Sequence, residues 1–417
     1  MSARLDSDEP LRVVRIISRL NIGGPAIQAI TLTNRLRPLG YETMLLRGRE
    51  DPDEGTMDDL AEALDVRPSL LRWLRRDVGA RDLLALPTLV WKLRRARPHV
   101  VHTHAAKAGA LGRFAALIAF PLRRPVIVHT FHGHSLTGYF SARRNAFFAG
   151  VERFLARRTD RLIAVSDEVR DELVGMGIAD ANRFEVVRVG FDLSPFVVNG
   201  RERERRRAGL REALGVPERA RLVTIVARLV PIKRVDRFLR MAARLNGDPG
   251  VRFLVVGDGV DREALRASAE ARALAGRLVW TGFRRDMPDV YFASDVVVQT
   301  SDNEGTPVAL IEAQAAGAPV VSTDVGGIRT VIEPVDSGRV VPVDDETALA
   351  DAVRQTLAST NGTELRQRAQ NHMTGRFAVE RLVNDVDRLY RRLLDERQRR
   401  PVRSPRVYEQ GSPSGQP

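Results

Sequence analysis

Residues 295–324 read DVVVQTSDNEGTPVALIEAQAAGAPVVSTD, and their pattern predicts one complete unit of secondary structure. The runs DVVVQTS and PVVSTD are apolar and β-branched, which is typical of buried strands. The segment that Pro307 opens has the length and composition of a helix. A strand, a helix and a second strand in this order predict a parallel βαβ unit. The unit also carries two acids, Glu304 in its loop and Glu312 in its helix.

The same alternation of strands and helices extends through most of the chain. Strand-like runs separated by helix-length segments begin near residues 12, 42, 99, 125, 161 and 184, and again near 221, 251, 277 and 339. Residues 193–220 interrupt the alternation with a polar, arginine-rich sequence. We therefore predict an α/β protein with two Rossmann-like, doubly wound parallel-sheet domains that face a central cleft.

The length of 417 residues favours two domains of about 200 residues each. The predicted division is a flexible N-terminus over 1–10, a first domain over 11–195, a linker over 196–217, a second domain over 218–396 and a disordered basic tail over 397–417. The last helix of the second domain is a candidate to pack back on the first.

The composition excludes several classes of protein. There is no cysteine, so disulfides and thiolate chemistry are excluded. The N-terminus is polar and acidic, unlike a signal peptide, and no apolar run approaches the roughly 18 residues of a membrane span. We therefore expect a cytoplasmic protein.

The net charge of +13 is concentrated in three segments, 141–161, 201–213 and 397–417. Localised basic surface favours an anionic partner such as a membrane face, nucleic acid or a phosphorylated substrate. The segment 141–158 also mixes its arginines with phenylalanines, as do basic amphipathic helices that lie on anionic membranes. Arginine-rich solvated faces, and a helix that packs on its own domain, are the alternatives that stay open.

Two cations follow the first predicted strand of the second domain. Arg228 and Lys233 lie five residues apart in VARLVPIKRVD, where a guanidinium and an ammonium can bind two phosphates together. The alternative is a pair of exposed loop cations. Their position at a strand end, before a helix, favours the phosphate interpretation.

Two glycine-containing turns also follow strands. Gly23 and Gly24 precede Pro25, and a helix beginning there offers free N–H groups to an anion. The Gly-Lys-Ser/Thr ending of a P-loop is missing. Gly257 lies in a turn that lacks the third glycine of a dinucleotide fingerprint, so we interpret that turn as structural.

Six of the seven histidines lie between residues 99 and 134, in two copies of the spacing H-x-x-H-x-H. Each copy ends a strand, so we expect His104 and His132 to face the cleft. A metal site is conceivable. A hydrogen bond from histidine to a sugar hydroxyl or phosphate is favoured, because alternate strand residues point to opposite faces.

The two acids of the opening stretch are predicted to lie on either side of a helix start. Thr306 suits the N-cap and Pro307 the first helical position. Glu304 would then lie at the mouth of the helix and Glu312 about two turns along it. Carboxylates accept hydrogen bonds from pairs of hydroxyls, as in sugars and ribose. The alternative for Glu312 is a paired acid in a helix.

Taken in order, these features resemble the family-4 retaining glycosyltransferases of GT-B fold. The resemblance rests on the spacing E-x7-E, the Arg and Lys after the first strand of the second domain, the early GG turn and the His of TFHG. Supporting phrases are HTHAAKAGALGRFAA, ARRTDRLIAVSDEVRDEL and EGTPVALIEAQAAGAPVVSTDVGG, and the likeness extends over about residues 12–395.

The resemblance implies an acceptor-binding first domain and a donor-binding second domain. It implies these roles: Arg228, Lys233, Gly23, Gly24, Thr306, Pro307 and Val308 bind the donor diphosphate, Glu304, Gly305 and His132 the donor sugar, Glu312 the ribose, and Phe283, Arg284 and Gly257 the base. Glu304, His132, Arg228 and Lys233 would be the catalytic set. No metal or other cofactor would be required.

Three departures from the family pattern stand out. Arg234 follows the lysine where glycine is frequent, and it would either crowd or extend the phosphate site. The loop reads Glu-Gly-Thr-Pro where many members have Glu-Ser/Gly-Phe-Gly. Asp51 and Asp53 resemble a metal-binding DxD by letter alone, and we assign them no metal.

The expected function is transfer of a sugar from a nucleotide-diphosphate sugar, UDP-linked, to a lipid-linked saccharide or other glycan or lipid precursor of the cell envelope. Peripheral contact with an anionic membrane at its inner face would accompany this function. A UDP-sugar 2-epimerase of the same two-domain architecture is an alternative. A basic nucleic-acid-binding protein is the non-enzymatic alternative, but no RNA- or DNA-binding motif is found in the sequence, so no nucleic-acid partner is expected.

Overall fold

The computed structural model describes residues 9–21, 23–50, 55–75, 79–133, 142–332, 337–359 and 362–399. Within these ranges the chain forms two parallel β-sheets, one of seven strands and one of six. The prediction of two Rossmann-like, doubly wound domains is confirmed. None of the described helices is both long and apolar enough to span a membrane.

The first domain alternates strands and helices from its first described strand. Its elements are β1 (Leu11–Ile17), α1 (Gly24–Arg35), β2 (Tyr41–Arg47), α2 (Asp58–Ala63), β3 (Ser69–Leu70), α3 (Asp82–Ala96), β4 (Val100–His104), α4 (Ala106–Ala119), β5 (Val126–Phe131), α5 (Ala142–Ala156), β6 (Arg161–Ala164), α6 (Asp167–Gly175) and β7 (Phe184–Val186).

The rest of the chain forms the second domain and a closing helix. Its elements are α7 (Gly200–Ala213), β8 (Arg221–Val226), α8 (Val235–Arg244), β9 (Val251–Val256), α9 (Arg262–Arg266), α10 (Ala269–Ala273), β10 (Leu278–Gly282), α11 (Met287–Ala293), β11 (Val296–Gln299), α12 (Val308–Ala315), β12 (Val320–Thr323), α13 (Ile328–Ile332), β13 (Gly338–Val341), α14 (Glu346–Ala358), α15 (Gly362–Phe377) and α16 (Val379–Arg399).

The order of the strands fixes where ligands bind. The first sheet runs β3-β2-β1-β4-β5-β6-β7 and the second β10-β9-β8-β11-β12-β13. The direction of winding therefore reverses beside β1 and beside β8, which each pair with two strands in parallel register. Open parallel sheets bind ligands beyond the carboxyl ends of the strands at such a reversal. The loops after β1, β4, β8 and β11 are consequently the first places to inspect.

Each sheet is covered on both faces by helices. In the first domain α1 and α16 pack on one face, over Val13, Val100 and Val128, while α3 and α4 cover the other face. A further core joins Phe131 and Leu173 of the first domain to Tyr291 and Leu310 of the second. The two domains therefore meet through buried apolar side chains as well as across a cleft.

Most of the segment expected to be a linker, 196–217, is helical. Asn199 caps α7 by accepting a hydrogen bond from the Glu202 backbone N–H at 2.9 Å. Arg207 and Arg211 of α7 form ion pairs with Asp295 of the second domain, and Arg211 is buried. From the sequence, a solvated basic surface was one interpretation of these arginines. In the structure they attach α7 to α11 and to the start of β11.

The last helix, α16, crosses from the second domain and lies on the first. Its Tyr390 hydroxyl lies 2.5 Å from His102 Nδ1 of β4, and Asp387 accepts a hydrogen bond from the Tyr41 hydroxyl at 2.7 Å. The helix continues through Arg399, so the expected tail boundary at 397 is three residues early. Arg397 pairs with Asp160 at 2.9 Å, which explains the longer helix. Residues 400–417 lie outside the described residues.

Candidate active site

A cleft of about 750 Å³ lies between the two domains, at the carboxyl ends of both sheets. Nine of the residues predicted from the sequence line it: Gly23, Gly24, His132, Arg228, Lys233, Glu304, Gly305, Thr306 and Val308. Pro307 is buried behind them. The residues assigned to ribose and base (Glu312, Phe283, Arg284 and Gly257) do not line the cleft in this structure.

Glu304 is the most highly connected acid of the cleft. It is only 8% exposed, and its Oε1 accepts hydrogen bonds from Lys233 Nζ, Gln299 Nε2 and Ser301 Oγ. Among the described residues no hydrogen bond reaches its Oε2. One oxygen is therefore fixed by three donors, and the second is left for a ligand. Gln299 and Ser301 were not identified from the sequence, because nothing in a strand end distinguishes them.

The two predicted phosphate-binding cations differ in their surroundings. Lys233 ends a short 3₁₀ turn, Pro231–Lys233, and its ammonium forms an ion pair with Glu304. Arg228 is exposed to the cleft, and no ion pair of its guanidinium occurs among the described residues. The cleft thus holds one cation already paired with an acid and one available to an anion.

Arg234 neither crowds nor extends the predicted phosphate site. Its backbone is left-handed, with φ +48°, which explains why a glycine suits this position. Its guanidinium turns away from the cleft and binds Asp236 and Asp302, both at 3.1 Å. Arg237 joins the same Asp302 at 3.0 Å. The arginine that stands here in place of the frequent glycine is therefore held by a local network of ion pairs.

Glycines let the two domains approach each other closely. A Cβ on Gly24 would lie 3.7 Å from Val308 across the cleft, and one on Gly305 would lie 2.8 Å from the His132 carbonyl oxygen. The second distance is too short for any side chain at position 305 without movement. The turn before α1 and the loop before α12 therefore lie where the cleft is narrow, each close to the other domain.

Gly326 and Gly327 support the Glu304 loop from below and were not predicted as site residues. A Cβ on Gly326 would lie 1.8 Å from the Glu304 carbonyl oxygen, and Gly326 has φ +49°. The Gly327 backbone N–H donates to the same oxygen at 3.3 Å. The only signal in the sequence was the paired glycine of STDVGG, whose contact with residue 304 depends on the tertiary fold.

The predicted helix start between the two acids is displaced by one residue. Helix α12 begins at Val308, and Pro307 with ψ 80° is its N-cap. Thr306 makes no capping hydrogen bond through its side chain, so its assignment as N-cap was wrong. The Pro307 carbonyl accepts from the backbone N–H groups of Leu310 and Ile311. The N-terminus of α12 nevertheless points at the cleft, because Val308 and Ala309 line it.

Glu312 lies further along α12 and has a neighbour that the sequence does not indicate. Its carboxyl accepts a hydrogen bond from the hydroxyl of the buried Tyr291 at 3.0 Å. Burial raises the pKa of Glu312 to about 7, partly opposed by that hydrogen bond. The structure thus agrees with the alternative in which Glu312 is a paired acid in a helix.

Three histidines form a stack that leads from the protein interior to the cleft. The His102 and His104 rings stack at 4.2 Å, the His104 and His132 rings at 5.3 Å, and His104 Nδ1 lies 3.0 Å from His132 Nε2. Burial lowers the pKa of His132 to about 3 and that of His104 well below its usual value. These rings are therefore neutral near pH 7, and one donates to the other.

Only His132 of the two expected histidines faces the cleft. His104 is fully buried behind it and does not line the cleft, so the prediction that it faces the cleft was wrong. The reason is that β4 lies inside the sheet, where its last residue is covered by α4 and by β5. Within the described ranges no three His, Cys, Asp or Glu side chains could hold a metal ion together. His134, Asp51 and Asp53 lie outside the described residues.

The residues predicted near the base occupy the rim of the second domain. Phe283 is 54% exposed, and Arg284 binds Asp286 at 2.9 Å. Gly257 has φ +135°, and a Cβ there would lie 1.9 Å from the Ala227 carbonyl oxygen. Gly257 is therefore required for the β9 turn to pack against the segment that carries Arg228, in agreement with its interpretation as a structural turn.

The first-domain wall of the cleft is acidic, which the sequence analysis missed. Glu152, Glu168 and Glu172 line it from α5 and α6. Glu152 is buried and accepts two hydrogen bonds from Arg113, at 2.7 and 2.8 Å. The cleft therefore has cations on the side of the second domain and carboxylates on the side of the first, of which that of Glu152 is already neutralised by Arg113.

The fold and the site together define a GT-B architecture: two Rossmann-like domains enclosing a cleft with cations at one sheet and an anchored glutamate at a helix mouth. A profile described as "Glycosyltransferase Family 4" matches residues 22–195, and one described as "Glycosyl transferases group 1" matches residues 207–374. The chain belongs to the family-4 glycosyltransferases, and the resemblance seen in the sequence is confirmed.

Relatives of known activity align over most of the chain. A 2-deoxystreptamine N-acetyl-D-glucosaminyltransferase of Streptomyces fradiae is 31% identical, over 79% of this chain and 82% of its own. A UDP-Gal:alpha-D-GlcNAc-diphosphoundecaprenol alpha-1,3-galactosyltransferase of Escherichia coli is 27% identical, over 84% of this chain and 89% of its own. The crystal structure of Anabaena HepE in complex with UDP superposes with a TM-score of 0.77 at 21% identity, covering 92% of this chain and all of that one. This last similarity concerns the fold.

Proposed function

We propose that the protein transfers a sugar from a UDP-linked nucleotide sugar to a hydroxyl acceptor with retention of configuration. The observation that carries the proposal is Glu304, whose Oε1 is anchored by Lys233, Gln299 and Ser301 while its Oε2 has no described partner. A carboxylate held in this way at a helix mouth presents a fixed acceptor to sugar hydroxyls. The Escherichia coli relative, whose name specifies a UDP-sugar donor, supports the choice of nucleotide.

The diphosphate of the donor would bind between Arg228, Lys233 and the N-terminus of α12. Arg228 offers the cleft a guanidinium that forms no ion pair with any described residue, and the helix N-terminus adds partial positive charge. Lys233 would then hold the diphosphate while keeping contact with Glu304, which links the phosphate to the sugar-binding acid. Gly23 and Gly24 would approach the diphosphate from the first domain.

In the proposed reaction the bond between the sugar C1 and the diphosphate oxygen breaks. The acceptor oxygen forms its bond to C1 on the same face, and the acceptor proton passes to the leaving phosphate. The largest electrostatic cost of this step is the negative charge that develops on the leaving diphosphate. Preorganised cations stabilise that charge and so lower the activation free energy. Because Arg228, Lys233 and the helix N-terminus supply positive charge, we propose that no metal is required.

His132 would contact the donor sugar as a neutral ring. Its low pKa prevents it from acting as a cation near pH 7, so its contribution would be a hydrogen bond and not a charge. Glu312 would bind the ribose hydroxyls in place of its contact with Tyr291. Neither Phe283 nor Arg284 lines the cleft in this structure. The loop that carries them would therefore have to move for them to contact the base.

The acceptor would enter along the first-domain wall. Glu168 and Glu172 would offer carboxylates to hydroxyl groups and oppose negative charge near the reacting oxygen, while Glu152 is already paired with Arg113. We propose a lipid-linked saccharide or a related glycan or lipid precursor of cell-envelope polysaccharide, whose phosphates lie away from the sugar that reacts. The name of the Escherichia coli relative, which specifies a diphosphoundecaprenol-linked acceptor, supports this choice. The site of action would be the cytoplasm, at the inner face of the membrane.

A thermal-shift panel of nucleotide sugars, followed by mass analysis of products with lipid-linked acceptors, tests the proposal. We expect UDP-sugars to stabilise the protein, EDTA to leave transfer unchanged, and the anomeric proton coupling of the product to match that of the donor. Inverted coupling would overturn the retaining mechanism. Chromatography of UDP-N-acetylglucosamine incubated without acceptor separates transfer from epimerisation, since an epimerase converts the donor alone.

A further inference from the structure

Three neighbouring helices of the first domain leave large apolar side chains in water. The side chains of Leu122, Leu83, Phe147 and Trp91 are 95%, 76%, 65% and 60% exposed. They belong to the α3–α5 face, which we define by Leu83, Leu84, Trp91, Ile118, Leu122, Phe147 and Phe154. Helix α4 contacts both α3 and α5, and the Phe114 and Phe154 rings stack across α4 and α5 at 6.0 Å. The exposed groups therefore share one side of the domain.

Helix α3 shows why this exposure is unusual. Its inward side buries Ala85, Leu89 and Leu93, as a surface helix should. Its outward side carries Leu84 and Trp91, seven residues apart and therefore on the same stripe. A helix that is apolar on both sides is expected to be covered on both sides, and the described residues leave the outward stripe exposed.

The stretch of sequence that carries the exposed apolar groups is basic. Residues 83–151 contain ten lysines and arginines and no aspartate or glutamate. The acids that bound this stretch are already neutralised, Asp82 by Lys107 at 2.7 Å and Glu152 by the buried Arg113. Among the described residues the α3–α5 face is therefore apolar and basic, and the acids beside it, including Asp160 next to Arg124, are already paired with arginine or lysine.

Several cations lie directly beside the exposed aromatic rings. The Arg158 guanidinium lies 3.8 Å from the centre of the Phe154 ring, and that of Arg95 lies 6.0 Å from the Trp91 ring. Arg94 of α3, Arg123 of the loop after α4 and Arg157 of the turn after α5 are also exposed. Proteins that lie on membranes place aromatic rings at the level of the lipid headgroups. Arginines beside these rings reach the lipid phosphates.

We infer that the α3–α5 face docks on an anionic phospholipid bilayer. The exposed leucines and aromatic rings would enter the headgroup region, and the arginines would bind lipid phosphates. A second copy of the chain is disfavoured as the occupant, because two such faces would bring like charges together. Nucleic acid would satisfy the arginines and leave Leu84 and Leu122 without a counterpart.

The position of the face relates it to the cleft. The N-terminal ends of α3 and α4 meet at the Asp82–Lys107 ion pair, and Ala106 beside it lines the cleft. Docking would therefore hold the acceptor side of the cleft at the bilayer surface. The inference rests on the membrane placement in the proposed function and adds the surface that makes the contact; its test contains no sugar substrate, so docking and transfer can fail independently.

Co-sedimentation with sucrose-loaded vesicles tests the inference on the full chain. We expect binding to mixed phosphatidylglycerol–phosphatidylcholine vesicles that weakens as salt increases, and little binding to pure phosphatidylcholine. The double substitution Leu84→Ser with Trp91→Ser should weaken binding at least about tenfold. The matched control Val260→Ser removes an apolar group that is 72% exposed on the second domain and should have no effect.

Two double variants, each lacking two positive charges, separate docking of lipid at the α3–α5 face from a general effect of net charge. Arg95→Gln with Arg157→Gln removes two cations from the α3–α5 face, and Arg266→Gln with Arg272→Gln removes two exposed cations from the second domain. The first pair should weaken vesicle binding several-fold and the second should not. Circular dichroism verifies that each variant is folded.

Direct insertion is measured by the quenching of tryptophan fluorescence with brominated phosphatidylcholine in the anionic vesicles. We expect quenching that Trp91→Phe abolishes and Trp280→Phe preserves. Absence of wild-type binding to anionic vesicles at low salt would overturn the inference. Equal loss of binding in the control variants, or quenching that survives Trp91→Phe, would also overturn it.

Discussion

At the scale of single residues, Glu304 is held through one carboxylate oxygen, while its other oxygen can still accept hydrogen bonds from a ligand. Three donors converge on Oε1, and the side chain is almost fully buried. A buried carboxylate is stable only with partners of this kind. The ion pair with Lys233 supplies the opposite charge. The arrangement fixes the direction of Oε2 before any ligand arrives.

Replacing Glu304 by glutamine tests this role with little change in shape. The amide keeps the size of the side chain but removes its charge and leaves Lys233 without its partner, so we expect kcat to fall by about 10²–10³-fold. Steady-state kinetics with a UDP-sugar and acceptor measure the change. Glu263→Gln, at a side chain 89% exposed, is the control and should be neutral. Near-normal turnover of Glu304→Gln would show that the carboxylate does not hold the donor.

Glu312 predicts a specific dependence of stability on pH. Its pKa is raised from 4.5 to about 7 in the folded protein, so between these values the folded state binds more protons than the unfolded state. The contribution of Glu312 to the free energy of unfolding is therefore greatest below pH 4.5, and it decreases as the pH rises towards 7. The decrease should be about 1–3 kcal/mol.

Urea unfolding at several pH values, compared between the wild type and Glu312→Gln, isolates this contribution. The glutamine variant cannot ionise, so the difference in unfolding free energy between the two proteins should change across pH 4.5–7 and be constant above it. A difference that is independent of pH would show that the carboxyl has an ordinary pKa.

At the scale of elements, the turn before α13 positions the loop before α12. Gly326 lies beneath the Glu304 backbone with a left-handed conformation that side chains rarely adopt. The neighbouring Gly327 donates a hydrogen bond to the same carbonyl. The Glu304 loop is therefore supported by a second loop that follows β12, the next strand of the sheet.

Substitution of Gly326 by alanine should displace Glu304 and lower stability together. The added Cβ would overlap the Glu304 carbonyl oxygen, and we expect a loss of about 2–4 kcal/mol in unfolding free energy with a large loss of transfer. Chemical denaturation and kinetics measure both. The control Gly209→Ala, in the interior of α7 with no atom near its Cβ, should be neutral or stabilising. Full activity in Gly326→Ala would show that the loop tolerates movement.

Elements also differ in how far the sequence predicts them. Strands β1, β4, β8 and β11 were predicted within about two residues, because an uninterrupted apolar run is a local signal. Helix α7 was not predicted, since its charged sequence has little apolar periodicity and depends on Asp295 to bind Arg207 and Arg211. The start of α12 was placed one residue early for a similar reason, because the capping preference of Thr306 is weaker than the loop contacts around it.

At the scale of the whole molecule, α16 ties the two domains together. It leaves the second domain after α15 and places Tyr390 between His102 and Arg15 inside the first. Arg15 is fully buried, and its described hydrogen bonds go to the hydroxyls of Tyr390 and Thr33. The helix is therefore part of the first domain's core even though it is the last described element of the chain.

Replacing Tyr390 by phenylalanine should destabilise the protein through this junction. The change leaves His102 Nδ1 and one Arg15 nitrogen without partners in a buried place, at a cost of about 1–3 kcal/mol. Thermal and urea unfolding measure the effect. Arg388→Gln on the same helix, where the side chain is 75% exposed, should change stability by less than about 0.5 kcal/mol. Equal stability of Tyr390→Phe and the wild type would show that water replaces the hydroxyl.

The sequence by itself determined the class of the fold and many of the residues that line the cleft. Those features depend on local patterns: apolar runs at strand spacing, cations and glycines at strand ends, and acids around a helix start. Arg228, Lys233, Glu304 and His132 all line the cleft because a doubly wound sheet gathers its strand ends at one edge.

Only the tertiary structure decided which partners these residues have. It buried His104, turned Arg234 away from the cleft, brought Gly326 beneath Glu304, and placed Tyr390 against His102 from 288 residues away. It also gathered three helices with exposed apolar and basic side chains into one face. Such contacts join distant parts of the chain, and their energies depend on burial and distance, which no local pattern records.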